Sequence, residues 1–280
     1  MRTRLSVRTQ YPFLKKTMAK IHPSSVVDPA ARLADDVVVG PFCIIGPNVQ
    51  IGSGTVLDSC VRVSGITQIG ERNHIYHGAA VGCDPQDKKY DAEPTRLVIG
   101  DDNVIREHCT LSTGTVQDEG ITRIGSRNLL MANAHVAHDC RVGSDIILAN
   151  NCGLAGHVHV EDFAILGGQS GVHQFVHIGT HAFVGGGSAV SKDVPPYVMC
   201  NGNPALPHGL NLVGLRRAGF TNDLIGLIKS VYHAIYREGN LVADAVREIN
   251  AIIETAPEDV KPLLAHMRDF VATSPRGIVR

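Results

Sequence analysis

The residues best suited to chemistry in this chain are its histidines. Eight of the 14 fall between His108 and His181. An imidazole near neutrality can take a proton from a poor nucleophile such as a hydroxyl, whereas three imidazoles converging at about 2.0–2.1 Å can hold zinc. His138, His157 and His173 are the candidates for either task, with His135 close by. Asp139 directly follows His138 and could orient its ring. Neighbouring side chains of a strand point oppositely, so sequence alone permits this pair without demanding it, and both readings stay open. Gly156 precedes His157, and Gly185-Gly186-Gly187 follows further on. Such glycines let a backbone N–H approach a ligand or leave room for a long apolar chain, although tight packing explains them equally well. No phosphate-cradling loop of the G-x-x-x-x-G-K-[ST] type occurs. Arg216-Arg217 offers the best pair of guanidinium forks for a diphosphate, with an ordinary charged helix approach as the plainer account.

What must position these groups is a repeat. Aliphatic residues recur every six positions from Ile21 through Val27, Leu33, Val39, Ile45, Ile51, Leu57, Val63, Ile69 and Ile75 to Val81. The phase returns at Ile99, Ile105 and Leu111, breaks, and resumes from Ile124 to Val190. An α-helix places position i+6 about 120° from i, so hexads cannot form one helical stripe. They fit one short strand plus one turn, with three such faces closing an 18-residue triangular coil. About nine coils stack into a prism about 40 Å long at about 4.8 Å per rung. Hexads beginning at Val136, Leu154 and Val172 lie 18 apart, which predicts that His138, His157 and His173 form a ridge on one face. The predicted class is mainly β, a parallel β-helix of hexapeptide repeats over 21–200 followed over 201–280 by a Gly/Pro/Asn-rich crossover, Asn201 to Gly219, and a small C-terminal α-helical domain. Two excursions are expected, at about 82–98, where charges replace aliphatics, and at about 114–121, where the phase slips by one. Thr221 caps the first expected helix, which runs to Gly239; a second carries Val242 to Ile253, and a third starts near Pro262.

Composition excludes several classes. With Lys+Arg 26 against Asp+Glu 27, neither nucleic acid nor an anionic membrane surface is an expected partner. The seven cysteines are odd in number and lack a C-x-x-C pair, arguing against a disulfide framework and a thiolate zinc site. A soluble, cytoplasmic protein without stable membrane insertion fits this composition. Residues 1–20 form an acid-free basic extension that is expected to be poorly ordered. Met18, just before the repeats, favours a short tail or an upstream start over an organelle transit sequence.

The stretches Asn133-Ala134-His135-Val136-Ala137-His138-Asp139-Cys140, Leu154-Ala155-Gly156-His157, Gly171-Val172-His173-Gln174-Phe175, Asp193-Val194-Pro195-Pro196-Tyr197 and Arg276-Gly277-Ile278-Val279-Arg280 resemble the UDP-N-acetylglucosamine O-acyltransferases that open lipid A synthesis. The likeness runs in order from about Ile21 to the C-terminus. It implies a left-handed coil, against the usual right-handed rule, and a homotrimer with sites between subunits. The implied reaction moves an (R)-3-hydroxyacyl group from acyl carrier protein to the glucosamine 3-hydroxyl of UDP-N-acetylglucosamine, with no cofactor and no metal. By this resemblance His138 is the general base, Asp139 its partner, and the Gly156 N–H the oxyanion donor. His135, His157, His173 and Gln174 contact substrate or acyl chain. Gln86, Asp87 and Lys89 hold the sugar nucleotide together with Asn211, Arg216 and Arg217. Gly186 is the acyl-chain ruler, and its missing side chain implies a chain of about fourteen carbons.

Three positions depart from the pattern: Ser112 stands where His is frequent, Val213 where an acid is, and Ala218 where a further Arg is. These leave nucleotide contacts in question but not the base. Competing classes are a hexapeptide acyltransferase acting on an amine, a trimeric zinc lyase resembling γ-class carbonic anhydrase, and a catalytically silent scaffold.

Overall fold

The computed structural model describes residues 19–237 and 240–280. The expected basic extension therefore lies almost wholly outside the described residues, as does Gly239, the expected end of the first helix. Lys20 already belongs to the first strand, Lys20–Ile21.

Short strands wind into a left-handed parallel β-helix whose three faces belong to sheets of eleven, nine and eight strands, the eleventh being an antiparallel strand added after the coil. On the nine-stranded face Val136 pairs with Leu154, Leu154 with Val172, and Val172 with Val190. The first residue of every one of these hexads is buried, each contributing about 1.5–3 kcal/mol by leaving water. A one-residue slip would turn every aliphatic outward, which fixes the register. The coil turns at the fourth hexad position, where φ is positive at every sixth residue from Arg127 to Gly187. Two of these corners are Asp139 and His157, at φ 59° and 62°.

The excursions are shorter than the sequence suggests. Strand Ala80–Cys83 and strand Arg96–Ile99 flank the first, so Gly82, Cys83 and Arg96 to Val98 are ladder residues. Its pairing explains the undisturbed phase: Ile69 meets Ile99, 30 residues on rather than 18, and the excess is two whole hexads. Ile99 then meets Ile124, 25 residues on. That seven-residue excess slips the phase by one, and Ile121 belongs to the returning strand.

Inside the coil an asparagine ladder bridges both irregular turns. Asn73 Oδ1 accepts from Asn103 N and Nδ2, Asn103 Oδ1 accepts from Asn128 N, and Asn128 Oδ1 accepts from Ile146 N. Their amides donate in turn to the carbonyls of Gly100, Gly125 and Gly143. Asn103→Ala would orphan the buried Asn128 N–H, the Gly125 carbonyl and part of Asn73. A loss of about 3 kcal/mol is expected, readable as a lower denaturation midpoint in urea.

After the coil the chain adds an antiparallel hairpin, Val198–Asn201 with Leu206–Leu210. Four helices follow, α1 (Leu212–Arg217), α2 (Asn222–Tyr236), α3 (Val242–Thr255) and α4 (Lys261–Ala272). Neither the Leu206–Leu210 strand nor α1 was expected within the Gly/Pro/Asn-rich crossover. Thr221 caps α2 as its sequence predicts, accepting from Leu224 N at 3.2 Å. Among the described residues no helix is long and apolar enough to cross a membrane.

Glu161 ties α4 to the coil. His266 on α4 meets its Oε2 at 2.8 Å, and Thr180 N donates to the same oxygen at 2.7 Å. His177 Nε2 stands 2.9 Å from Oε1, within ion-pair range but outside hydrogen-bond alignment. Burial opposes the Glu161 charge, yet His177 and His266 outweigh it and hold the carboxyl at about 2, while Glu161 raises His266 above its ordinary 6.5. A depressed acid stabilises above its ordinary 4.5 and loses that contribution as pH falls toward 2. A raised histidine stabilises below 6.5 and loses its contribution as pH climbs past its raised value. Docking of α4 is thus expected to be firmest between about pH 4.5 and 6.5. Glu161→Gln should flatten this profile and cost about 2 kcal/mol on the plateau, followed by denaturation midpoints across pH.

Candidate functional site

The stacked hexads sort the histidines into separate columns rather than one ridge. Third positions align His138, Gly156 and Gln174; fourth positions align Asp139, His157 and Phe175; His173 stands in the second. The corner at Asp139 resolves the question left by strand geometry. With φ at 59° the chain turns immediately after His138, and the Asp139 carboxylate returns to His138 Nδ1 at 2.9 Å. Both residues are buried.

Asp139 is held from three further directions. Its Oδ1 accepts from Thr115 N at 2.8 Å, its Oδ2 from Thr115 Oγ1 at 2.6 Å, and its own N–H donates to Thr122 Oγ1 at 2.8 Å. Burial would raise the carboxyl, but the hydrogen bonds from His138 and Thr115 outweigh it and hold it below the ordinary carboxylate range. An ionised carboxylate can only accept, so the contact places a proton on His138 Nδ1 and leaves Nε2 as the basic atom. Asp87 Oδ2 lies 4.0 Å from that nitrogen.

Gly156 stacks one rung from His138 because any side chain there would collide: a Cβ would fall 2.6 Å from His138 Nε2. Among the described residues its N–H donates to no protein acceptor, so a free backbone donor lies one rung from the basic nitrogen. His157 completes the cluster. Its ring centroid lies 5.1 Å from that of His138, edge to face, and 4.4 Å from Phe175, stacked. Its Nδ1 contacts Asp118 Oδ2 at 2.9 Å. His135 meets Thr110 Oγ1 at 2.7 Å, and burial, with the His138 charge second, pushes it below its ordinary value.

His138 stands at the junction of two cavities. One, of about 570 Å³, is lined by Gln86, His135, Gly156, His173 and Gln174, with a floor of small residues at Gly153, Gly171 and Ala189. The other, of about 440 Å³, is polar, with Asp87, Lys89, Gln117, Asp118 and His157. Nine expected site residues besides His138 are therefore brought together around it: Gln86, Asp87, Lys89, His135, Asp139, Gly156, His157, His173 and Gln174. Three imidazoles do not converge, however. The close group is His138, Asp139 and His157, whose candidate ligand atoms lie within 4.8 Å of one another, and one of those atoms is already hydrogen-bonded to another.

The remaining expected residues stand apart within one chain. Asn211 and Arg217 line a larger cavity of about 990 Å³ between the eleven-stranded face and helices α1 and α2, which shares no residue with the two at His138. Asn211 is buried and caps α1, accepting from Gly214 N at 3.0 Å and donating to His181 O at 3.0 Å. Arg216 and Arg217 are exposed in the last turn of α1, where they also suit the helix dipole. Gly186 sits beside a corner, where a Cβ would press on Gly168 O at 3.2 Å, and lines neither cavity at His138. Of the departures, Ser112 is buried in the coil and Val213 is exposed. Sequence reasoning missed Thr115, Asp118 and Thr122, which come from the second excursion and its returning strand. The slipped phase marked that loop without marking these residues.

The family profile described as UDP-N-acetylglucosamine O-acyltransferase, domain 2, matches residues 193–279, and the bacterial transferase hexapeptide profile matches residues 30–65 and 121–156. An acyl-[acyl-carrier-protein]–UDP-N-acetylglucosamine O-acyltransferase from Thiobacillus denitrificans is 52% identical over 264 residues, covering 94% of this chain and 100% of the relative. The chain belongs to the UDP-N-acetylglucosamine O-acyltransferase family. Solved members of that family agree in fold. The UDP-N-acetylglucosamine O-acyltransferase of Moraxella catarrhalis superposes with a TM-score of 0.88 at 48% identity, covering 93% of this chain and 99% of its own. The Arabidopsis UDP-N-acetylglucosamine acyltransferase gives 0.80 at 40% identity, covering 93% and 100%. As a member of this family the chain is an acyltransferase, and the amine, zinc-lyase and scaffold readings give way to it.

Proposed function

We propose that the protein transfers an (R)-3-hydroxyacyl group from acyl carrier protein to the glucosamine 3-hydroxyl of UDP-N-acetylglucosamine, the first step of lipid A biosynthesis, with His138 as general base. The observation that carries this reading is the buried His138–Asp139 pair at 2.9 Å, which leaves Nε2 free at the junction of a small-residue groove and a polar cavity. The sugar hydroxyl gives its proton to Nε2 as its oxygen attacks the thioester carbonyl. Asp139 stabilises the imidazolium that forms, and the Gly156 N–H donates to the developing oxyanion. Collapse of the tetrahedral intermediate expels the carrier thiolate, which takes the proton back from Nε2. The groove over Gly153, Gly171 and Ala189 suits an acyl chain, and Gln86, Asp87, Lys89, His135, His157, His173 and Gln174 surround the reacting groups.

Asn211, Arg216 and Arg217 reach the nucleotide in this reading only from a second copy, which supports a homotrimer with sites between subunits. The outward column of the eleven-stranded face is apolar for most of its length, with Val38, Val56, Val104, Leu129, Ile147, Ile165, Phe183 and Met199 in register. The eight-stranded face instead carries Arg123, Arg141, His159 and His177. Burying the apolar column against a neighbour accounts for that contrast. Gly186 sets chain length from such a shared groove.

The test is incubation with UDP-N-acetylglucosamine and a panel of hydroxyacyl carrier proteins, followed by mass spectrometry of the nucleotide. O-acylated product with a preference near fourteen carbons is expected. Absence of product defeats the reading, and a strong preference for ten carbons defeats the role of Gly186.

A further inference from the structure

The second excursion brings an acid beside the site that none of the expected roles uses. Asp118 Oδ2 lies 2.9 Å from His157 Nδ1. A carboxylate accepts and cannot donate, so this contact puts the neutral ring's proton on Nδ1 and turns a bare Nε2 inward. That nitrogen stands 3.8 Å from Asp139 Oδ2, the oxygen that also receives His138 Nδ1 and Thr115 Oγ1. Two acceptors facing each other at this distance form no hydrogen bond, and Asp139 stays committed to His138. Phe175, stacked on His157 with planes 9° apart, holds the ring edge-on to His138.

We propose that Asp118 is a positioning residue for acyl transfer: by taking the Nδ1 proton of His157 it keeps His157 from competing with His138 for Asp139 Oδ2. Without it the His157 proton moves to Nε2 and can be donated to Oδ2. The shared carboxylate then stabilises the imidazolium of His138 less well, and the base slips from its tautomer and orientation. Asp118 also lies 3.8 Å from Arg141, and its other oxygen, Oδ1, accepts from Glu119 N at 2.9 Å within the loop, but the Glu119 carboxylate secures the same loop to the coil, to Arg141 at 3.0 Å and to Arg123 at 3.4 Å. Loop anchoring and tautomer control are therefore separable.

The kinetic part rests on His138 acting as the base, so the test has two readouts on the full-length protein. Nitrogen-15 NMR of labelled histidine, with His157 assigned by substitution, reports the tautomer whether or not the protein turns over. The wild type should show Nδ1–H and Asp118→Ala Nε2–H; an Nε2–H wild type, or no change in the variant, overturns the proposal. In the transfer assay D118A should lose about tenfold in kcat with KM within about twofold. Asp118→Asn, whose amide oxygen still accepts from Nδ1–H, should recover most of that loss. Glu119→Gln, which weakens only the loop's anchor, should leave kcat unchanged. Unaltered kcat in D118A, or D118N as poor as D118A, overturns the tautomer argument. If H138A keeps wild-type turnover, the base assignment fails instead, and the NMR result alone decides the role of Asp118.

Discussion

Replacing His138 by alanine is expected to lower transfer by at least about 10³-fold, while oligomeric mass and unfolding midpoint stay near those of the parent. The size of the effect follows from chemistry: a sugar hydroxyl attacks a thioester effectively only if its proton leaves during attack, and no other basic nitrogen occupies the junction of the two cavities. His157 is the nearest alternative, 5.1 Å away between ring centroids, but its Nδ1 faces Asp118 and its Nε2 faces a carboxylate rather than an open groove. The fold should tolerate the change because the inward position of that hexad is Val136, and Asp139 keeps its bonds to Thr115 and Thr122 when the imidazole is gone. Product mass and kcat read the chemistry, and sedimentation with a denaturation curve reads the fold. Turnover within tenfold of wild type would remove His138 from the role of base.

The solenoid was legible because its energetics repeat. Each inward aliphatic is chosen by the same burial, so one rule applied every six residues places Val136 beneath Leu154 and Leu154 beneath Val172. The limits of that legibility are equally physical. An insert of two hexads restores the phase, so the periodicity at Ile99 could not tell a loop from an ordinary coil, and the excursion's true edges lay within the segment where charges had hidden two strands. The site was partly legible. His138 and Gly156 share a column because they are 18 apart, yet His157 and His173 fall in neighbouring columns, since one hexad position changes which way a side chain leaves the triangle. Whether Asp139 could turn back to His138 depended on the left-handed corner, a backbone state that non-glycine residues adopt at a cost of about 1–3 kcal/mol when packing demands it. Thr115 and Asp118 lie in a loop with no period to mark them, so only the folded chain shows the first clamping Asp139 and the second clamping His157. The crossover was hardest of all: glycine and proline there suggested irregular chain, and nothing around Asn211 marked it as the residue that caps α1.

Gly156→Ala is expected to be nearly as damaging as loss of the base, by about 10²–10³-fold in kcat, although it removes no functional group. The added methyl would sit 2.6 Å from His138 Nε2, well inside van der Waals contact. Because the collision is with the Cε1–Nε2 edge of the ring that must accept the proton, either the imidazole swings off Asp139 or the turn carrying Gly156 shifts and takes its N–H away from the oxyanion. Both routes strike the transition state more than ground-state binding, so kcat should fall with KM for UDP-N-acetylglucosamine little changed. The two routes can be separated in the His138→Ala background, where the collision no longer exists. If the methyl acts only by displacing the imidazole, His138→Ala/Gly156→Ala should be no worse than His138→Ala alone. If it also misplaces the backbone donor, a further loss of about tenfold should appear. Wild-type kcat in Gly156→Ala would contradict both routes, since it would mean that the rung above the base is free to move without consequence for catalysis.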